Sequence, residues 1–189
     1  ADHTINNTDA FLSSLNIADV AAKEDRLITF GIVPEYPATG YGYIEAGASI
    51  HTGLQEVNRF KEKPDRATAE QFLQQGNFLW NSGMFCWSIK AIEAAFTEYQ
   101  PQIAKLCSLI GQTWKLEGYS ADISELYRQM PRIPIDIGIM EKADKRGVIP
   151  VDIGWNDVGS WKALADISIV NAEGNSSISP ICAIDSQNN

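Results

Sequence analysis

The run Leu27-Ile28-Thr29-Phe30-Gly31-Ile32-Val33 is β-branched or apolar at nearly every position, so both of its faces must be covered. A strand of that kind sits inside a sheet with helices packed over it, and Pro34 ends it. The stretches around it alternate between helix-like and strand-like patterns. Phe11, Leu15 and Ala18 lay one apolar stripe along a helix over residues 6–23, opened by Asn7 or Thr8. Residues 55–61 alternate around Val57 and Phe60 as a strand, closed by Glu62-Lys63-Pro64. Asp65 or Thr68 then caps a helix bearing Ala69, Phe72 and Leu73, which Gly76 stops. Residues 78–87 form a further apolar strand, interrupted by Asn81-Ser82-Gly83. A polar triplet in so hydrophobic a run needs hydrogen-bond partners and predicts a bulge or a ligand contact.

Three helical patterns follow, around Ile92 and Phe96, from Pro101 onward, and around Leu126, and they read as a side layer without chemistry. Residues 135–145 read as a helix beginning under Asp136, and Val148, Ile149 and Val151 as a buried strand. After that strand, Gly154 and Gly159 bracket a loop, a helix runs over residues 160–167, and a linker-like composition begins at Asn171. This alternation predicts an α/β domain with a Rossmann-like, mixed and mostly parallel sheet. That sheet is expected to be incomplete at its amino-terminal end, because no Gly-rich phosphate loop follows any strand.

The formal net charge of −9 argues against binding to nucleic acid or to an anionic membrane, both of which need a basic face. The odd set Cys86, Cys107 and Cys182 lacks metal-ligand spacing, which suits packing thiols in a reducing compartment. No apolar run has the length to cross a bilayer, so a soluble, cytoplasmic domain is expected.

Four stretches could meet at one end of such a sheet: Asp2-His3, Phe60-Lys61-Glu62-Lys63-Pro64, Asn81-Ser82-Gly83, and Trp155-Asn156-Asp157-Val158-Gly159. Two aspartates from separate strand ends are a magnesium site in outline, since that ion takes one or two carboxylates and fills its other positions with water and phosphate oxygens. Lys63 would supply a point charge for a phosphate, and Glu62 an acceptor for sugar hydroxyls. Each has a plainer reading. Asp157 can be a helix cap, Glu62-Lys63 a solvated turn, and the glycines of Pro37-Ala38-Thr39-Gly40-Tyr41-Gly42 an ordinary turn rather than a main chain that touches a ligand.

Taken together, six motifs resemble the sugar nucleotidyltransferases, and most closely the bacterial mannose-1-phosphate guanylyltransferases. They are Ala1-Asp2-His3, Thr39-Gly40-Tyr41-Gly42-Tyr43-Ile44, Phe60-Lys61-Glu62-Lys63-Pro64, Asn81-Ser82-Gly83-Met84-Phe85, Ile135-Asp136-Ile137-Gly138-Ile139-Met140-Glu141-Lys142, and Gly154-Trp155-Asn156-Asp157-Val158-Gly159-Ser160-Trp161. They occur in the family's order from the first residue to about Ile167. The resemblance implies a nucleotidyltransferase-type fold and transfer of GMP from GTP to α-D-mannose 1-phosphate with magnesium, giving GDP-mannose and pyrophosphate. It implies that Asp2 and Asp157 hold the metal, that Glu62, Asn81 and the main chain at Gly42 hold the sugar, and that Lys63 neutralises its phosphate. Asp136 is left as helix-start structure.

The family's Gly-rich signature loop would precede Ala1. The chain is therefore expected to be a sugar-phosphate and metal part, inactive alone, with residues 1–170 belonging to the nucleotidyltransferase domain and 171–189 forming a linker. A homo-oligomer fits the same expectation. The competing expectations are a non-catalytic regulatory or sugar-nucleotide-sensing subunit of the same fold, and a transferase for another sugar or base.

Overall fold

The computed structural model describes residues 3–161, 163, 164, 168, 171, 174–176 and 184–187. It divides into two compact units, Asp9–Asp152 and the pair of segments Ala1–Thr8 and Ile153–Asn189. In the second of these, β1 (Thr4–Ile5) and β7 (Trp155–Asn156) form a two-stranded antiparallel ladder with Thr4 opposite Asn156 and Ile5 opposite Trp155. The Asn6 and Asn7 backbone amides both donate to the Ile153 carbonyl at 3.0 Å, which ties the two segments together.

The larger unit follows α1 (Thr8–Ala22), which the periodicity anticipated, with β2 (Leu27–Ile32), all six of whose residues are buried. Next come β3 (Tyr43–His51), β4 (Leu54–Lys61), α2 (Arg66–Gln75) and β5 (Phe78–Cys86). The helices α3 (Ile89–Tyr99), α4 (Pro101–Glu117) and α5 (Ser124–Arg128) then lead to a π-helical turn at Asp136–Met140 and to β6 (Arg146–Val151). The cap of α2 falls to Asp65, whose carboxylate accepts from the Thr68 amide at 2.8 Å, and Gly76 closes the helix in the left-handed region at φ +74°.

The five strands β2–β6 close on themselves in the order β2-β5-β3-β4-β6. An α/β fold with a mixed sheet is present, but the expectation of a mostly parallel sheet does not hold. Of the five described pairings in that sheet, only β2 with β6 is parallel. The reason is that burial on both faces reports how a strand is covered and says nothing about its neighbours' direction. The tight turn at Thr52-Gly53, with Gly53 at φ +80°, joins β3 to β4 as a hairpin. A connection that short allows only antiparallel pairing, and parallel pairing requires a longer crossover such as the path from β2 to β6.

Two other expectations meet the structure differently. The polar triplet does mark an irregularity, since the β2–β5 register slips between Thr29 opposite Phe85 and Gly31 opposite Asn81. The helix expected over residues 135–145 is instead a single π-helical turn. Arg146 Nη1 donates to the Met140 carbonyl at 2.7 Å, so a side chain occupies an acceptor that a continuing helix would have used, and the backbone leaves for β6. The helix expected from Ser160 begins with Ser160 Oγ accepting from the Ala163 amide at 3.1 Å, and most of its remainder lies outside the described residues. Among the described residues, no helix is long and apolar enough to cross a membrane.

Gly31 shows how tightly β2 is packed. A Cβ built there would lie 2.6 Å from Leu79 Cδ1 and 2.8 Å from both Leu79 Cβ and Val148 Cγ2. Val148 is fully buried and Leu79 nearly so, leaving little room to yield. Gly31→Ala is expected to destabilise the full-length protein by about 1–3 kcal/mol through overpacking. Chemical denaturation checks this, and an unchanged midpoint would contradict the rigidity of this layer.

Candidate functional site

The larger unit brings three of the expected sugar-binding positions together. Gly42 is buried at the end of the loop that enters β3, and the Asn81 backbone N–H donates to its carbonyl at 2.7 Å. A Cβ on Gly42 would lie 2.6 Å from Glu62 Oε2 and 3.3 Å from Asn81 Cβ, so glycine is what lets the loop approach both residues. Gly42 is thus a close-contact position. The loop is pinned around it. Tyr43 donates through its hydroxyl to the Ala38 carbonyl at 3.0 Å, and Tyr36 and Tyr41 set their rings edge-on to Trp80. Burial pushes the Tyr43 phenol above its ordinary range, which keeps it a neutral donor.

Glu62 and Lys63 follow the last residue of β4. Glu62 is partly buried, while Lys63 is exposed and adopts φ +42°, a left-handed conformation uncommon outside glycine. Lys63 Nζ lies 3.4 Å from Glu62 Oε1. An ion pair this exposed is weak, so the ammonium remains available to a phosphate.

Asn81 lies in β5, inside the irregular stretch opposite β2. Its Oδ1 accepts from the Gly83 amide at 3.2 Å and lies 3.2 Å from Thr29 Oγ1, while its Nδ2 donates to Asp136 Oδ1 at 2.9 Å. Asp136, read from sequence as helix-start structure only, therefore touches an expected sugar-binding side chain. Its place within one of the six motifs was the signal for it. Thr29 carried a signal too, as the one hydroxyl in an otherwise apolar strand.

In the smaller unit, Asp157 directly follows β7. Asn156 Oδ1 accepts from the Val158 amide at 2.7 Å, closing a turn around Asp157, and Val158 sits at φ +50°. A β-branched residue there is strained, and such strain concentrates at functional turns. A Cβ on Gly159 would lie 2.6 Å from Asp157 Oδ2, so the carboxylate folds back over a glycine that leaves it space. Ser160 makes the cap bond of the helix that begins at Trp161. His3 packs edge-on against Trp155, with ring centroids 5.4 Å apart. Trp161 is 87% exposed and is no part of a core. Asp2 lies outside the described residues.

The family model described as nucleotidyl transferase matches residues 1–173. The chain is 40% identical over its whole length to the xanthan biosynthesis protein XanB of Xanthomonas campestris pv. campestris (strain B100), covering 40% of that protein. It is 38% identical, again over its whole length, to mannose-1-phosphate guanylyltransferase 2 of Escherichia coli O157:H7, covering 41% of it. The chain thus spans well under half the length of these relatives. Its fold is similar to the crystal structure of mannose-1-phosphate geranyltransferase from Thermus thermophilus, with a TM-score of 0.77 and 30% identity, over 87% of this chain and 47% of that one.

Proposed function

Because the chain belongs to the nucleotidyl transferase family, we propose that the full-length protein transfers GMP from GTP to α-D-mannose 1-phosphate, releasing pyrophosphate and GDP-mannose. The observation that carries this reading is the meeting of Gly42, Glu62 and Asn81 on one surface, with Lys63 beside it. These residues come from three separate segments of the chain. Their chemistry fits a sugar phosphate: a carboxylate accepts from hydroxyls, an amide donates to an oxygen, and an ammonium faces a phosphate. The mannose-named relatives in Escherichia coli and Thermus thermophilus support the choice of sugar.

In this reaction an oxygen of the sugar phosphate attacks the α-phosphorus of the nucleotide in line, forming one P–O bond as the bond to pyrophosphate breaks. Both reactants are anionic, so the protein's work is to align them and offset charge. Glu62, Asn81 and the Gly42 main chain would orient the hexose, and Lys63 would hold its phosphate. No nucleophilic side chain is needed.

Asp157 and Asp2 would hold magnesium. The donor set fits a hard cation that needs only one or two carboxylates, and no group of three or more His, Cys, Asp or Glu is gathered among the described residues. The ladder ends at Thr4 opposite Asn156, and Asp2 and Asp157 are the acidic residues that come next in sequence on either strand. When bound, the ion supplies charge neutralisation at phosphate oxygens.

The test is pyrophosphate release by the full-length protein. Release is expected with GTP and mannose 1-phosphate, to stop with EDTA and to return with added magnesium. Other nucleoside triphosphates and glucose 1-phosphate, run in parallel, address base and sugar choice. Preferential turnover of another pair would reassign the substrates, and GDP-mannose binding without turnover of any pair would favour the sensing subunit.

A further inference from the structure

We infer that Asp136 is a positioning residue that fixes the orientation of the Asn81 side-chain amide so that Asn81 presents an N–H donor toward the bound sugar phosphate. This rests on the functional reading above and adds to it a polarity rule for one face of the site.

The two ends of the Asn81 side chain have partners whose chemistry admits one orientation. The Gly83 backbone N–H can only donate, so the atom it meets must be the amide oxygen. An ionised Asp136 carboxylate can only accept, so the atom it meets must be the amide nitrogen. Thr29 Oγ1 lies 3.2 Å from both Asn81 Oδ1 and the Met84 carbonyl, which share its single hydrogen. The Gly83 amide thereby engages one lone pair of Oδ1, and one of the two Nδ2 hydrogens is committed to Asp136. What Asn81 has left to donate is the second Nδ2 hydrogen.

Asp136 is itself held. It begins the π-helical turn, its carbonyl accepts from the Glu141 amide at 2.8 Å, and Gly138, Ile139 and Met140 are buried beneath it. The turn is fastened at its far end by Arg146, whose guanidinium donates to the Met140 carbonyl at 2.7 Å and to the Val57 carbonyl at 3.2 Å. A rigid segment thus presents a carboxylate to Asn81 from a position 55 residues away in sequence. With Glu62 an acceptor beside Gly42, the site pairs one oriented donor with one acceptor, the pattern that neighbouring hydroxyls of a hexose satisfy.

The inference is tested in the full-length protein with Asp136→Asn and with the exchanged pair Asn81→Asp plus Asp136→Asn. Asp136→Asn removes the acceptor-only partner of Nδ2 and leaves the Gly83 amide alone to set the orientation, and KM for the sugar 1-phosphate is expected to rise about tenfold while KM for GTP and the melting temperature hold. Across a panel of monodeoxy sugar 1-phosphates, that penalty should vanish for the one compound lacking the hydroxyl that Asn81 meets. The exchanged pair can rebuild the bond between positions 81 and 136 with donor and acceptor swapped. It is expected to melt like the parent yet bind the sugar phosphate poorly, because position 81 then presents a carboxylate.

Parent-like sugar KM in Asp136→Asn, parent-like binding in the exchanged pair, or a penalty equal for every deoxy compound would overturn the inference. The wild-type rate with mannose 1-phosphate reports separately on the functional reading. Should another sugar 1-phosphate prove to be the substrate, the same ratios are taken with it.

Discussion

Asp157→Asn in the full-length protein is expected to lower nucleotidyl transfer by about 10²–10³-fold, the scale seen when one preorganised electrostatic group is removed from a phosphoryl- or acyl-transfer site. The substitution exchanges one carboxylate oxygen for an amide nitrogen at nearly constant volume. The turn that carries it is built from other atoms: Asn156 Oδ1 takes the Val158 amide, and Ser160 caps the helix that follows. Gly159 continues to leave room for a side chain of the same shape. The melting temperature should therefore stay within about 2 °C of the parent, since the exchange is nearly isosteric. Steady-state rates over a magnesium titration check the claim. If the carboxylate holds the ion, the variant needs far more magnesium for whatever activity remains. Near-normal turnover at ordinary magnesium would remove Asp157 from the metal site.

Gly42→Ala should produce the second large effect, and of a different kind. The added methyl would fall 2.6 Å from Glu62 Oε2, the far end of a flexible and partly exposed side chain. Gly42 is not among the positive-φ glycines, so its backbone accepts alanine without strain. Glu62 can swing aside at little cost to the fold, and in doing so leaves the position from which it would hold the sugar. Displacement of a positioning group by about 1 Å can cost on the order of 10²-fold in rate, so kcat/KM for the sugar phosphate should fall steeply while stability changes by less than about 1 kcal/mol. Gly31→Ala makes the opposite case, because its methyl meets Leu79 Cβ and Val148 in a packed layer and the loss appears in stability instead. An unaltered sugar KM in Gly42→Ala would show that Glu62 does not hold the ligand.

Much of the candidate site was legible in the chain. Glu62 and Lys63 stand out as charges closing an apolar strand, Asn81 as an amide within another, and Asp157 as a carboxylate between two glycines. Their residue types alone limit what they can do, since a carboxylate accepts, an ammonium donates, and neither can be left buried without a partner. Asp136 is easily passed over because an acid at a helix start is common and carries its own local explanation. Its tie to Asn81 is a contact between distant segments, invisible to any window of sequence. Val158 gave no signal at all. A β-branched residue is a poor choice for positive φ, and only the turn held by Asn156 makes that conformation evident.

The sequence by itself determined where most of the longer strands and helices lie, where α2 stops, and which side chains carry charge and hydrogen-bonding capacity. These follow from periodicity, caps and the chemistry of single residues, all of which act over a few positions. Only the tertiary structure decided that β2 has one parallel and one antiparallel neighbour, that the segment after Ile135 is a π-helical turn, and that Gly42, Glu62, Asn81 and Asp136 meet. The physical reason is that a strand buried on both faces is satisfied by neighbours running either way. The choice, and the meeting of side chains that follows from it, is made by contacts between segments tens of residues apart.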